Sequence, residues 1–241
     1  MRMGSITTDI IKNGLVFNMD AANRVSYVPD ATTNKNTINL SQTGSFINDT
    51  AFISPPISAS CFSLDGTDAY ISEQSTTEIT SLGDSMTIQC FFKLTDNSDS
   101  YQAIVAKRQH WAAALNGYGL WAGTAYSSKF RFYLGNGSSN DYAEADSAYS
   151  INTWYQVTGV YNGSKLLIYQ NGVKQADETA MTGNVNEQLT QELLLGISKT
   201  SNSVSTSYIM TGLIANVQIY NRALSSTEVL HNYNALKSRF E

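Results

Sequence analysis

The chain is 241 residues long, and its formal net charge at pH 7 is −5. Charged residues make up 15% of it, well below the roughly 25% of an average soluble domain, so uncharged side chains must supply most of the surface polarity. The acidic balance argues against phosphate binding through a basic stripe, and we expect no nucleic-acid partner. No apolar run approaches the roughly 18 residues of a membrane span, so we expect no membrane partner. The first ten residues lack an apolar region, which predicts a protein made in the cytoplasm without a signal peptide.

Strands predominate among the elements that the sequence predicts. Residues 1–8 are expected to form a loose arm, followed by a strand over 14–19. The polar stretch over 21–60 is expected to hold two short strands, at 37–40 and 51–53. Further strands are predicted from β-rich runs between turn residues, at 61–64, 69–72, 86–94, 101–107, 119–123 and 129–134. Cys61 and Cys90 lie inside these strands; we interpret them as small buried hydrophobic residues, with a disulfide as the alternative.

Residues 154–175 contain two Asn-Gly pairs between runs rich in Val, Ile, Leu and Tyr. Asn-Gly favours a type I′ turn, because both central residues of that turn need a positive φ. The segment is therefore predicted to form three strands joined by turns at Asn162-Gly163 and Asn171-Gly172. Neither face of the first strand is fully polar, which indicates a central strand covered on both sides. Strands at 191–197 and 213–220 follow, separated by a polar loop over 198–207 that we expect to be mobile.

The C-terminal segment predicts a helix over 226–237. Ser225 is expected to be its N-cap and Glu228 the partner in a capping box, with Leu224 and Val229 as a hydrophobic staple. Helical spacing predicts one apolar face, formed by Val229, Leu230, Tyr233 and Leu236. Many strands without alternating helices indicate an all-β, antiparallel β-sandwich with a short C-terminal α-helix. No repeat or linker divides the chain, so we expect a single domain over 9–241 after the 1–8 arm.

Four segments resemble motifs of one family. They are LDGTDAYI at 64–71, MTIQCFFKL at 86–94, the hairpin segment at 152–172 and IYNRALSSTE at 219–228. Their order and spacing resemble the LamG-type branch of the concanavalin A-like lectin/glucanase superfamily over nearly the whole chain. The resemblance implies a jelly-roll sandwich of the concanavalin A-like kind.

The two ends of the chain resemble a narrower group. DIIKNGLVFNMDAANRVSY at 9–27 and HNYNALKSRF at 231–240 are similar to LamG-type proteins of tailed-phage virions. That resemblance implies a non-enzymatic bacteriophage structural protein, a capsid decoration or head or tail fibre protein located in the virion. Its partners would be the major capsid protein, other virion proteins or further copies of itself. The alternative is a lectin-like carbohydrate-binding module that adsorbs to glycans of the host surface or the environment.

No catalytic constellation is visible in the sequence. Glucanases of the superfamily carry an E-x-D-x-x-E strand, and the nearest approach here is Glu144-Ala145-Asp146, which lacks the second glutamate and is predicted to lie in a turn. Retaining hydrolysis needs two carboxyl groups about 5 Å apart. His110 and His231 form no recognisable pair with a nucleophile and no zinc-ligand set. We therefore expect no enzyme activity and no catalytic residues.

Sugar binding needs an aromatic platform with a few polar side chains in a concave site. The candidates in loops that we expect to be exposed are His110, Trp111 and Tyr126. The alternative for Trp111 is a cap on the open end of the sandwich. Trp121 and Trp154 lie in predicted strands and are expected to be core residues.

No cofactor is expected, although the resemblance raises a structural calcium ion. Many relatives carry Asp-Glu where this chain has Ala215-Asn216, which would weaken such a site. Calcium requires several oxygen ligands, usually including carboxylates. Asp20, Asp65 and Asp68 are the remaining candidates for ligands, and turn formation is the alternative role for each of them.

Overall fold

The structure is a computed structural model that describes residues 9–28, 31–53, 60–110, 115–186, 191–200 and 203–240, with the backbone alone of residues 109 and 110. The predicted arm over 1–8 and Trp111 lie outside the described residues. None of the helices in the described part is long and apolar enough to cross a membrane.

Short strands make up most of the described chain. In chain order they are β1 (Leu15–Asp20), β2 (Thr33–Lys35), β3 (Thr43–Ile47), β4 (Ala51–Ile53), β5 (Cys61–Asp65), β6 (Tyr70–Glu73), β7 (Met86–Leu94), β8 (Gln102–Lys107), β9 (Gln109–His110), β10 (Asn116–Ala122), β11 (Arg131–Asn136), β12 (Asn140–Glu144), β13 (Trp154–Tyr161), β14 (Lys165–Gln170), β15 (Val173–Ala180), β16 (Leu193–Leu195), β17 (Ser198–Thr200), β18 (Ser203–Ser205) and β19 (Thr211–Tyr220). The α-helices are α1 (Thr77–Thr80) and α2 (Ser226–Leu236). Single 3-10 turns occupy Thr124–Tyr126, Thr206–Tyr208 and Lys237–Arg239.

Two antiparallel sheets form a sandwich. The first sheet has the order β15-β14-β13-β7-β19-β5-β4, and β1 pairs with the second half of β19. The second sheet has the order β12-β11-β10-β8-β16-β6-β3-β2. A small third sheet, β18-β17-β9, contains a parallel pair between β17 and β9. The all-β antiparallel sandwich with a short C-terminal helix is therefore confirmed.

The main core lies between the two sheets, and β13 shows how closely they approach. Tyr155, Val157 and Tyr161 of β13 belong to this core, as do Phe92 of β7 and Phe132 of β11. At Gly159 of β13 an added Cβ would lie 2.3 Å from the ring of Phe132. A glycine is needed there because any side chain would overlap the opposite sheet. The prediction of a central strand covered on both sides is confirmed, since all but the first residue of β13 are buried.

The two Asn-Gly turns of the 154–175 segment differ in kind. At Asn171 and Gly172 both residues have positive φ, +51° and +77°, as a type I′ turn requires. At the first pair only Gly163 has a positive φ, and the side-chain oxygen of Asn162 accepts hydrogen bonds from the backbone N–H groups of Ser164 and Lys165. The predicted type I′ turn is therefore wrong at this pair, because the asparagine side chain closes a longer loop instead.

The capping box of α2 is confirmed, and its docked face differs from the predicted one. The Ser225 hydroxyl accepts from the Glu228 backbone N–H, and the Glu228 carboxylate accepts from the Ser225 backbone N–H. Val229 is buried, but Leu230 is 43% exposed, and Asn232 is fully buried. Hydrogen bonding to Asn232 turns the helix away from the face that apolar spacing alone predicts.

Three local predictions are wrong. Residues 37–40 form no strand: the side chain of Asn36 binds the backbone N–H of Ile38, which favours a turn, and the strands of this stretch are β2, β3 and β4. The predicted loop over 198–207 contains the pair β17 and β18. Glu144 ends β12 rather than lying in a turn.

Both cysteines are free and buried, as the favoured interpretation predicts. Burial raises the pKa of the Cys61 thiol to about 11, although Lys93 lowers it in part. Burial also raises the pKa of Cys90 well above its ordinary value. Both thiols therefore stay protonated and behave as small hydrophobic groups.

Candidate functional site

The outer side of the second sheet carries a group of aromatic and charged side chains, which we call the aromatic face. Because side chains alternate along a strand, Leu120 and Phe132 point into the core, while Trp121 and Tyr133 point outward. Gly119 leaves room for Trp121, whose indole nitrogen would lie 3.0 Å from an added Cβ. The aromatic face consists of Tyr101, Arg108, Trp121, Tyr126, Arg131, Tyr133, Tyr142, Glu144 and Tyr208.

The rings of the aromatic face form one contiguous network. Tyr133 lies opposite Tyr142 across β11 and β12, with ring centroids 5.1 Å apart. Tyr133 also contacts Trp121 at 6.4 Å in an edge-to-face arrangement and Tyr126 at 6.2 Å. Tyr208 extends the network from Trp121 at 5.8 Å. Edge-to-face and tilted pairs of this kind stabilise the arrangement beyond the area that they bury.

Arg131 is held at the centre of the exposed part of this face. Its guanidinium carbon lies 4.2 Å from the ring centroid of Tyr126 and 4.0 Å from that of Tyr142. It donates to the Tyr133 hydroxyl at 3.0 Å and forms an ion pair with Glu144, the residue opposite it on β12, at 2.6 Å. Lys129 pairs with the other carboxylate oxygen of Glu144 at 3.2 Å. Arg131 uses three of its five N–H donors on these partners, and the other two have no acceptor among the described residues.

Burial shifts the pKa values of the ionisable groups in the aromatic face. Burial opposes the charge on Arg131, but hydrogen bonding to Tyr133 and Glu144 outweighs it and raises the pKa of Arg131. Burial lowers the pKa of Arg108 to about 10, and its guanidinium carbon lies 4.8 Å from the ring centroid of Tyr133. Burial, followed by the neighbouring Tyr133, raises the pKa of Tyr126 above its ordinary value. Both arginines are therefore charged at neutral pH and the Tyr126 hydroxyl is neutral.

Only part of the aromatic face is open to solvent. Trp121, Tyr126 and Tyr208 are 1%, 5% and 6% exposed and form its floor. Tyr101, Tyr133, Tyr142 and Arg131 are half-buried, so their outer edges are accessible. A ligand would contact the Tyr133–Tyr142 pair and the guanidinium of Arg131.

The structure places the predicted ligand-binding residues as follows. Tyr126 was expected to be exposed, and this is wrong: it is buried between Tyr101 and Arg131, at 5.4 Å and 4.2 Å. The backbone of His110 pairs with Thr200 in the small third sheet, two residues after Arg108 of the aromatic face. A binding role for His110, Trp111 and Tyr126 stays a prediction.

Sequence reasoning missed Arg131, Tyr133 and Tyr142. A signal was present in β11, where Arg131 and Tyr133 alternate with the apolar Phe132 and Leu134, a pattern that places both on one face. Trp121 is buried as expected, but on the outer side of the sheet rather than between the sheets.

The three candidate calcium ligands do not lie together. Asp20 forms a two-fold ion pair with Arg239, at 2.7 and 2.9 Å. Asp65 and Asp68 do approach each other, and Asp49, which sequence reasoning missed, completes an exposed group whose carboxylate oxygens lie within 4.8 Å of one another. One oxygen of Asp65 already accepts from the backbone N–H groups of Thr67, Asp68 and Ala69. Turn formation thus accounts for Asp65, and its backbone hydrogen bonds, that from Thr67 first, lower its pKa.

The family model of the concanavalin A-like lectin/glucanase superfamily (Laminin_G_3) matches residues 65–230. The chain belongs to this superfamily. A search of curated proteins found no match. The superfamily match includes β6 to β19 and therefore every strand of the aromatic face, while β1 to β4 precede it.

Solved structures of low sequence identity share the fold. The binding domain of Paraclostridial Mosquitocidal Protein 1 matches with a TM-score of 0.69 and 14% identity, over 92% of this chain and 52% of that one. Domain 4 of AbnA, a GH43 extracellular arabinanase from Geobacillus stearothermophilus, was solved with arabinotriose and matches with a TM-score of 0.62 and 13% identity, over 91% and 98%. Trypanosoma rangeli sialidase matches with a TM-score of 0.61 and 13% identity over 93% of this chain, which spans 33% of the sialidase chain. The superfamily fold thus occurs in binding domains and within enzymes.

Glu144 and Asp146, the two carboxylates nearest to a glucanase pattern, both have partners within this chain. Glu144 pairs with Arg131 and Lys129. Asp146 accepts from the backbone N–H of Ala176 on β15, at 2.9 and 3.1 Å. Glu144 thus ties β12 to β11, and Asp146 ties the residues after β12 to β15, which gives both carboxylates a structural role. The absence of enzyme activity stays a prediction.

Proposed function

We propose that this chain is a carbohydrate-binding module that binds glycans on the aromatic face. The observation that carries the proposal is the half-exposed pair of Tyr133 and Tyr142 with Arg131 fixed against it. Sugar rings place their C–H groups on aromatic side chains and their hydroxyls on a few oriented polar groups. The hydroxyls of the two tyrosines and the two remaining donors of Arg131 supply such groups.

The preorganisation of this face favours binding. The ion pair with Glu144 and the hydrogen bond to Tyr133 hold Arg131 in one orientation, so little side-chain entropy remains to be lost when a ligand binds. A relative of the same fold, domain 4 of the Geobacillus arabinanase, was solved with arabinotriose. That likeness supports glycans as the ligand class for this chain.

A glycan array with the purified protein tests the proposal. We expect retention on at least one class of glycan, and loss of retention in Tyr142→Ala and Tyr133→Ala. Tyr70→Ala is the matched control, because Tyr70 is a half-buried tyrosine of the same sheet that packs against Leu194 and Ile197 instead. Retention that survives both aromatic-face variants, or that falls equally in the control, would contradict the proposal.

We further propose that binding is not accompanied by hydrolysis. Glu144 and Asp146 are both occupied by partners within the protein, which leaves neither as a free acid or nucleophile. Incubation with the glycans that the array identifies should release no reducing ends. Release that is lost in Glu144→Gln would overturn this part of the proposal.

A place in a phage virion is the second candidate. The two segments that resemble virion proteins contact each other: Arg239 pairs with Asp20, and the Ile11 backbone N–H donates to Asn232 at 2.8 Å. The segments 9–27 and 231–240 therefore hold each other in place. A surface fixed in this way supports docking on a particle or on another copy. Mass spectrometry and electron microscopy of particles would reject the virion role if the chain were absent from them. The two candidates are compatible if the aromatic face points outward.

A further inference from the structure

A cavity of about 750 Å³ opens on the outer side of the first sheet, the opposite side of the sandwich from the aromatic face. Its walls come from β1, the turn after β1, residues 37 and 38, and the end of α2 with the following 3-10 turn. The volume falls within the range of small-molecule sites, which is roughly 300–1,000 Å³. Charged and apolar side chains both line it.

Gln218 of β19 lines this cavity from the sheet. It is fully buried, and neither its side-chain oxygen nor its side-chain nitrogen makes a hydrogen bond within the described part of the chain. Exchanging the two atoms by rotating the amide would not help, because both are without a partner. A buried amide left in this state costs free energy, so it calls for a partner that the described residues do not supply.

The amides beside Gln218 are not available to it. Asn18, its neighbour on β1, donates to Thr37 and accepts from Asn216. Gln89, its neighbour on β7, donates to Thr158 and accepts from Asn232. Of these three neighbouring amides, Gln218 is therefore the one whose side-chain donor and acceptor both remain available to a ligand.

The charges around the cavity favour an anionic ligand. Asp20 is paired with Arg239, and Asp9 is paired with Lys12. Arg24 also lines the cavity and is exposed, and among the described residues it has no ion pair. The unpaired cation at the rim and the unpaired amide in the wall therefore present one positive charge, one donor group and one acceptor.

We propose that this cavity binds a small hydroxylated carboxylic acid of the uronic-acid class. Adjacent hydroxyls, each of which donates and accepts, satisfy both ends of the Gln218 amide. The carboxylate pairs with Arg24 in a charge-assisted contact. Leu15 and Leu236 in the walls contact the carbon skeleton. The site is separate from the aromatic face, so the proposal does not rest on glycan binding there.

Titration with sodium glucuronate, followed in the ¹H–¹⁵N spectrum of the labelled protein, tests this site. We expect saturable shifts at residues that line the cavity at concentrations up to about 30 mM, since so small a ligand has a millimolar Kd. Glucose lacks the carboxylate and acetate lacks the hydroxyls, so each should bind at least about fivefold more weakly. Tyr142→Ala should leave the glucuronate shifts unchanged.

Three variants separate ligand binding from solvation of the cavity by water. Gln218→Leu should weaken glucuronate binding about tenfold, since two hydrogen bonds are lost. Gln156→Leu is the matched control: Gln156 of β13 is also a buried glutamine of the first sheet, and its side-chain amide makes no hydrogen bond in the described part, but it is not part of the cavity wall. Arg24→Gln, at an exposed position, should remove the preference for glucuronate over glucose even if Gln218→Leu folds poorly.

The proposal fails if glucuronate causes no saturable shifts in this cavity, which would mean that water alone occupies it. It also fails if Gln218→Leu and Gln156→Leu bind equally well, or if Arg24→Gln keeps the preference for the acid. A loss of array retention in Tyr142→Ala together with intact glucuronate shifts would separate this site from the aromatic face.

Discussion

The two outer faces of the sandwich are built differently. Over the first sheet, α2 and the residues after it seal the surface: Phe240 stacks on Phe91 with centroids 4.4 Å apart, and Asn232 reaches down to Gln89 and Tyr220. Over the second sheet, the aromatic face is only half-covered, and Arg131 and the edges of Tyr133 and Tyr142 reach solvent. Apart from the cavity beside Gln218, the outer face of the first sheet is therefore covered for stability, whereas the outer face of the second sheet leaves its aromatic side chains accessible to a ligand.

Asn232→Ala should give the largest effect on the sealed face. The Asn232 side chain accepts from the backbone N–H of Ile11 and donates to Gln89 and Tyr220 at 2.8, 2.7 and 2.9 Å. Its loss leaves buried groups without partners, so we expect the free energy of unfolding to fall by about 3 kcal/mol. Urea unfolding measures the change, with the exposed Asn234→Ala as the control. A loss equal to that of the control would mean that α2 does not seal this face.

Glu73 is a buried carboxyl group of the second sheet, and its ionisation tests how pH changes the stability of that sheet. It is fully buried over Gly44, and its carboxylate oxygens make no hydrogen bond within the described part of the chain. Burial raises the pKa of Glu73 to about 7, and the neighbouring Asn34 side chain offsets a part of that shift. The folded state therefore binds a proton more tightly than the unfolded state, whose carboxyl pKa is 4.5.

Because the pKa of Glu73 is higher in the folded state than in the unfolded state, the free energy of unfolding depends on pH. Between pH 4.5 and about 7 the folded state holds more protons than the unfolded state, so stability falls as pH rises through this window. Glu73→Gln removes the ionisable group and should raise the free energy of unfolding by roughly 3 kcal/mol at pH 8 and leave it almost unchanged at pH 4. Thermal unfolding at the two pH values measures this. Equal effects at both would show that Glu73 does not titrate there.

Gly159 lies where both sheets meet, so a change there should weaken both faces together. Gly159→Ala places a Cβ against the Phe132 ring, and we expect a loss of roughly 1–2 kcal/mol from overpacking. Phe132→Leu in the same chain should restore part of the loss, because the smaller side chain makes room. The double variant settles the cause: additive losses would place the strain elsewhere.

Local patterns in the sequence predicted much of this fold because they depend on neighbouring residues. The strand Met86–Leu94, the strand Ala51–Ile53 and the capping box of Ser225 and Glu228 were all predicted correctly. The docked face of α2 was not, because the burial of Asn232 depends on Gln89, which lies 143 residues away in the chain. Local spacing cannot register such a partner.

The candidate site was harder to predict for the same reason. Tyr126 was expected in an exposed turn, but Arg131 and Tyr133 cover it. Asp49 joins Asp65 and Asp68 only because β4 pairs with β5 and β3 with β6. Alternation of Arg131 and Tyr133 with Phe132 and Leu134 within β11 is the local signal for the aromatic face.

Arg131→Gln should give the smallest effect on stability and a large one on binding, which would sharpen the contrast between the two faces most. The variant loses a half-exposed ion pair with Glu144 and two ring contacts, so we expect the free energy of unfolding to fall by no more than about 1 kcal/mol. Glycan retention should fall by at least about tenfold, because both remaining donors and the charge at the centre of the face are lost. Lys129→Gln is the matched control, since Lys129 pairs with the same carboxylate and should leave retention within about twofold. A large loss of stability with unchanged retention would reverse the assignment and make the aromatic face a structural cover like the one formed by α2.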